Sequence, residues 1–347
     1  MRNLYIIGII CLFCSCSFIK LNKLVNNQDI KFSNQLIPFE ISNNRISLKD
    51  SVNFFLDIGA PNIIYSEKLK SLNIKDSIKI GELVNSNGKR IENKSIVIEL
   101  IKNNFFEVNN AVFRVLPNNT ICNDNLGLIG CELFYNEVIG LDFKNNIIQK
   151  LPVSFIKNNK DYKELKVLDF DGYYFIISLS VNGQYLNVKL DTGNPYSLLL
   201  TKEDFNKIKT ETYSSYFMNR GKLDTVFNSR FKSMENDFIV KSNNYIKRNL
   251  MGVQFLKNYN WVLDYTEGKV YYKKNKNNKI TENTNRSIIQ DDKLIFYQSN
   301  NQSEIYKLGN VINSVDNIIV TEKNICYLND LLNNKINWST LNIEFLK

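Results

Sequence analysis

Histidine is absent from all 347 residues. That absence excludes Ser-His-Asp and Cys-His catalysis, His-ligated zinc and imidazole proton shuttling together. Acid–base chemistry must fall to carboxylates, Lys, Tyr or Cys. Proline and glycine are scarce, at 5 and 14 residues, so the place of each glycine carries information. No block of clustered Lys and Arg with interleaved aromatics occurs. The excess of 44 Lys+Arg over 35 Asp+Glu is spread along an Asn-rich chain, and nucleic acid is not an expected partner. The cysteines lack metal-ligand spacing, and neither a metal nor a cofactor is expected. Hydrophobic residues at 44% and aromatics at 12% suffice for a core and exclude global disorder.

The N-terminus reads MRNLYIIGIICLFCSCSF. Arg2 is followed by an apolar run from Leu4 to Phe13, short for a bilayer span but of signal-peptide length. No later apolar stretch is long enough to span a membrane. The run ends in Phe13-Cys14-Ser15-Cys16. This resembles a bacterial lipoprotein signal over residues 1–16, with small Ser15 before Cys16 as the residue to be lipidated. Phe13 stands where such signals usually carry Leu. The resemblance implies the bacterial cell envelope and a membrane reached through a lipid anchor. An ordinary cleaved signal or an uncleaved anchor are the other readings. Beyond this segment lie Cys122, Cys131 and Cys326. Cys122 and Cys131 pair in an oxidising compartment, or Cys131 is a buried thiol; both readings stand.

A long internal repeat organises the rest. LIPFEISNNRISL followed by SVNFFLDIGAPNIIYS is matched by YYFIISLSVNGQYLNVKLDTGNPYSLLLT. Each reads as strand, turn, strand and an apolar run ending in Asp-x-Gly: Asp57-Ile58-Gly59-Ala60 and Asp191-Thr192-Gly193-Asn194. Another apolar stretch and a short charged helix follow, SEKLKSL in one and TKEDFNKI in the other. Later, Leu128-Ile129-Gly130 matches Leu250-Met251-Gly252, and Leu141-Asp142-Phe143 matches Leu263-Asp264-Tyr265. The spacing from glycine to aspartate is the same in both. Between these anchors IENKSIVIELI and NFFEVNNAVFRVL read as strands. VNSNGKR, from Val84 to Arg90, reads as a hairpin tip.

These residues resemble the bilobal retropepsin/pepsin-like aspartic proteases, specifically bacterial envelope proteins of that kind. The resemblance covers about residues 33–275. It implies a mainly-β chain with two homologous β-barrel lobes and a cleft between them, residues 33–160 and 161–275. It implies peptide-bond hydrolysis by water activated at an Asp57/Asp191 dyad, acting on a peptide or protein substrate as a monomer. Gly59, Ala60, Thr192, Gly193, Asn194, Gly130 and Gly252 match the residues that support the Asp loops. Two carboxylates about 3 Å apart cannot both ionise cheaply, so they share one proton, and one acts as base while the other acts as acid. Ile58 departs from the pattern. The family usually has Thr or Ser there, and the two hydroxyls bond across the lobes. Thr192 is therefore expected to lose its partner. Two further readings stay open: a catalytically impaired peptide-binding relative of the same fold, and a structural envelope lipoprotein.

Asp142 and Asp264 read as turn residues, and Glu132 has no counterpart in the second repeat. Tyr65 and Tyr196, close after the Asp loops, read as packing or cleft-lining residues. Residues 276–287 are Asn/Lys-rich and read as a linker. Residues 288–347 read as a small α+β piece. Leu308-Gly309-Asn310-Val311-Ile312 resembles a PDZ segment with Asn310 at the usual Asp; a cap packed on the second lobe is the alternative.

Overall fold

Along Phe175–Val181 the side chains of Phe175, Ile177, Leu179 and Val181 are buried and those between them are more exposed. That period of two is the signature of a strand packed on one face, and it recurs along the chain. The structure, a computed structural model, describes residues 30–31, 36–43, 46–72, 79–84, 90–102, 107–117, 122, 125–145, 147–219, 222–275, 285–334 and 338–346. Cys16 with its signal segment, the hairpin tip at 85–89 and residues 276–284 lie outside these. Among the described residues 26 strands stand against five short α-helices, so the protein is mainly β. No helix there is long and apolar enough to cross a membrane.

The sequence repeat is a repeat of strand pairing. Ile46–Asp57 runs parallel to Gly127–Gly130, with Asp57 opposite Gly130. Ile63–Tyr65 runs parallel to Glu107–Leu116. In the second repeat Gln184–Leu190 runs parallel to Leu250–Met251, with Leu190 opposite Met251. Leu198–Leu200 likewise runs parallel to Asn236–Ser242. The short helices Ser66–Leu72 and Lys202–Ile208 follow the equivalent strands Ile63–Tyr65 and Leu198–Leu200.

The two repeats differ in how their sheets end. In the first, Leu36–Asn43 pairs with both Ile46–Asp57 and Arg90–Lys102, so a seven-stranded sheet curls back on itself. Lys79–Val84 flanks the hairpin tip, with Val84 opposite Arg90. The second repeat does not form the closed barrel the sequence suggested. Its sheet is an open order of ten strands. The edge strand Thr212–Asn219 takes its partner from the C-terminal piece, with Tyr216 opposite Ser299 and Phe217 opposite Gln298. Backbone donors and acceptors on that edge are thus covered by a later segment rather than by the repeat itself.

A six-stranded sheet joins the repeats. Val138–Asp142 of the first pairs antiparallel with Tyr259–Asp264 of the second, Gly140 opposite Val262. Ile147–Lys150 and Lys269–Lys274 flank them symmetrically. Ile30–Lys31, ahead of the repeat, adds an edge strand. One buried cluster runs through both repeats, from Phe54, Phe113 and Phe134 to Phe238, Phe255 and Trp261.

The C-terminal piece begins within the expected linker, because Asn285–Gln290 is already a strand. It pairs with Lys293–Ser299 as a hairpin. A three-stranded sheet and the helix Ile325–Asn334 follow, around a separate core of Phe296, Leu328, Leu332 and Trp338. The disulfide links Cys122 to Cys326, not to Cys131. Cys131 is an unpaired buried thiol; its side chain faces the carbonyl of Ala60, with Sγ 3.3 Å from the oxygen.

Candidate active site

Each Asp-x-Gly loop begins where a buried strand runs out. Leu56 and Leu190 are buried, and the aspartates after them are half-buried. The backbone then turns back: Ala60 N–H donates to Asp57 O, and Asn194 N–H to Asp191 O. The loops meet face to face. The Asp57 and Asp191 carboxyls are near enough that each acts on the other's proton affinity. Asp57 Oδ1 also accepts from Gly59 N at 2.9 Å and from Gly193 N, across the repeats, at 3.3 Å. Asp191 Oδ1 accepts from Asn194 N at 3.0 Å.

Glycine is required at both turns for close approach. A Cβ on Gly59 would lie 2.7 Å from Asp191 Oδ1, and one on Gly193 would overlap the Asp57 carboxylate. Each carboxyl is therefore packed against the opposite loop's glycine. Gly130 and Gly252 pass behind the loops. Cys131 N–H, after Gly130, donates to Ala60 O, and Val253 N–H, after Gly252, donates to Asn194 O. Asn194 is buried, and its Oδ1 accepts from Tyr196 N.

Thr192 does not lose its partner. Its Oγ1 accepts from Ile58 N at 3.0 Å and donates to Leu56 O at 2.9 Å. One hydroxyl thus bonds to the backbone on both sides of Asp57, and it needs no side-chain hydroxyl opposite. Ile58 itself is buried among core residues.

Burial first, then the Asp191 charge, raises the Asp57 pKa to about 7, against the pull of the Gly59 and Gly193 amides. Burial raises Asp191 as well, opposed by the Lys189 ammonium and the Asn194 amide. A pair so placed titrates in two coupled steps and holds one proton between the two carboxyls from one step to the other.

The other singled-out carboxylates lie apart from this pair. Asp142 accepts from Asn145 N and Nδ2, and Asp264 Oδ1 accepts from Thr266 and Glu267; both cap turns. Glu132 bonds Asn62 N and pairs with Arg114 at 2.7 Å. Tyr65 is close enough to Asp57 to feel its charge. The Tyr196 ring lies under Lys241 and Arg286 and lines a cavity of about 380 Å³ with Phe217 and Tyr297. Lys189, which the sequence reading passed over, reaches the site: its Nζ donates to Gly59 O at 2.7 Å. The signal for it was present, since Lys189 is two residues before Asp191 and so shares its strand face.

No family model matches the chain, and no curated protein matches it. Among solved structures, EDGP is 11% identical with a TM-score of 0.43, over 73% of this chain and 96% of that one. Conglutin gamma, a basic 7S globulin from lupine seeds, is 10% identical with a TM-score of 0.41, over 74% of this chain and 96% of that one.

Proposed function

We propose that this chain is an aspartic endopeptidase whose two β-lobes carry one catalytic carboxyl each. The observation that carries the reading is that Asp57 and Asp191, each following an equivalent strand of a repeated unit, are each packed against the other loop's glycine, with Gly193 N donating to Asp57 Oδ1 at 3.3 Å. A carboxyl pair holding one proton is both base and acid. The ionised carboxylate takes a proton from water as its oxygen attacks the scissile carbonyl carbon. The protonated carboxyl gives its proton to the carbonyl oxygen. Collapse of the tetrahedral intermediate breaks the C–N bond, and the amine leaves with a proton returned from the pair. The chain's own donors and acceptors supply every proton transfer in this scheme. An anchor at Cys16 would hold the enzyme at a membrane of the cell envelope.

A second reading is favoured by Ile58, which puts an apolar side chain where the resemblance expects a hydroxyl: a peptide-binding relative that does not cut. One experiment separates the two. Wild type, Asp57→Asn and Asp191→Asn are incubated with a mixed peptide library from pH 3 to 7, with cleavage read by mass spectrometry and folding by circular dichroism. Wild-type cleavage lost in both folded variants is the expected result. Wild-type turnover in either variant refutes the shared dyad. Peptide binding without cleavage in the wild type transfers the function to the second reading.

A further inference from the structure

The repeats also differ on the strands that lead into the two aspartates. In the first repeat Phe55 lies opposite Leu128, and Asp57 opposite Gly130. In the second, the position opposite Leu250 is Lys189. Phe55 and Lys189 are therefore structural equivalents, each two residues before its aspartate and on the same strand face. One side of the dyad carries an aromatic ring at this place; the other carries an ammonium.

The ammonium is held in place. Lys189 Nζ donates to Gly59 O at 2.7 Å and lies 3.6 Å from the centroid of the Tyr174 ring. Gly59 is the residue packed against the Asp191 carboxyl. The cation is thus bonded to the loop that touches Asp191, and the equivalent place in the first repeat is held by Phe55. Besides the two aspartates, Cys131, Tyr174 and Arg248 also face the ammonium. Tyr65 faces Asp57. Arg248 lies on the same side of the site as Lys189, lining a cavity of about 670 Å³ with it.

We infer that Lys189 breaks the symmetry of the dyad: its ammonium keeps the negative charge on Asp191 and leaves the shared proton on Asp57. This rests on the reading of the two aspartates as a catalytic pair. It gives them separate parts, with Asp191 as the base toward water and Asp57 as the acid toward the carbonyl oxygen. Lys189 is a positioning residue, acting on the pair without touching substrate. The electrostatics run the same way, since Lys189 opposes the upward shift of Asp191, while burial and the Asp191 charge drive Asp57 up.

The test reads protons rather than turnover. Full-length protein labelled with ¹³Cγ-aspartate is titrated by NMR from pH 3 to 9, with Asp57→Asn and Asp191→Asn assigning the two carboxyl signals. In the wild type, between the two titration steps, Asp191 is expected at the ionised chemical shift and Asp57 at the protonated one. Lys189→Met should raise both steps, by about one pH unit or a tenfold change in proton affinity, and bring the two signals closer together. Lys189→Arg should leave them near the wild-type positions. Lys189→Gln replaces the methionine variant if that one fails to fold. Asp57 found ionised while Asp191 is protonated overturns the inference. So do unchanged steps in both neutral variants. A shifted titration in a protein that cuts no peptide leaves the inference standing and removes only the endopeptidase reading. Cleavage with unmoved titration steps and pH limits does the reverse.

Discussion

Replacing Thr192 by valine would remove one oxygen at nearly constant shape. That oxygen bonds two backbone groups beside Asp57. The Ile58 N–H donates to it at 3.0 Å, and it donates to the Leu56 carbonyl at 2.9 Å. Thr192 and both neighbours of Asp57 are buried, so water has poor access to either group after the change. An unsatisfied buried donor or acceptor costs about 1–3 kcal/mol each. The expected loss of unfolding free energy for Thr192→Val is therefore about 2–6 kcal/mol. Thr201→Val is the internal comparison. It removes only a helix N-cap, the bond from Asp204 N at 3.3 Å, and should cost about 1 kcal/mol. Thr192→Ser keeps the hydroxyl and should resemble the smaller value. Urea unfolding monitored by tryptophan fluorescence measures all three, with peptide turnover recorded alongside, because a loosened Asp57 loop lowers rate more steeply than stability. A Thr192→Val loss no greater than that of Thr201→Val would refute the claim that this hydroxyl ties the two loops together.

Two further outcomes follow from the described geometry. Asp57 binds its proton more tightly in the folded chain than an ordinary aspartate does, its pKa raised to about 7 chiefly by burial; protonation thus favours the fold. Stability should be highest below about pH 4 as far as this group is concerned, and should fall as pH rises toward 7. Asp57→Asn should flatten that fall in a thermal-melt series, and an unchanged slope would count against it. Cys122→Ser should lower stability by about 2–5 kcal/mol, since the bond to Cys326 closes a loop with a sequence separation of 204; an unfolding midpoint equal to wild type under oxidising conditions would show that the bond does not form.

The strands, the doubled Asp-x-Gly loops and the later glycines were legible because each leaves a local mark. Strand burial shows as a period of two, and the loops show as matched residues at matched spacing. What escaped was what depends on distant segments. Lys189 looks like one more solvated lysine on an alternating strand; only the fold puts its ammonium against the Gly59 carbonyl of the other repeat. Thr192 was read as needing a hydroxyl partner because side chains are what a sequence displays. Its real partners are backbone groups, which every residue carries and which no sequence pattern reports. The Cys122–Cys326 bond escaped because spacing between cysteines says little about contact across two different cores. The open edge at Thr212–Asn219 escaped because a strand pattern does not name its neighbour.

The C-terminal piece is attached at two places of different kind: by backbone pairing to the second repeat at Tyr216 and Phe217, and by a covalent bond to the first repeat at Cys122. The polypeptide from Cys122 to Cys326 is therefore a ring rather than a line, and it contains Asp191 while Asp57 lies outside it. A single cut anywhere within that ring does not divide the molecule. The two fragments migrate together until a reductant is added, and a cut between Cys122 and Asp191 leaves one aspartate on each of them.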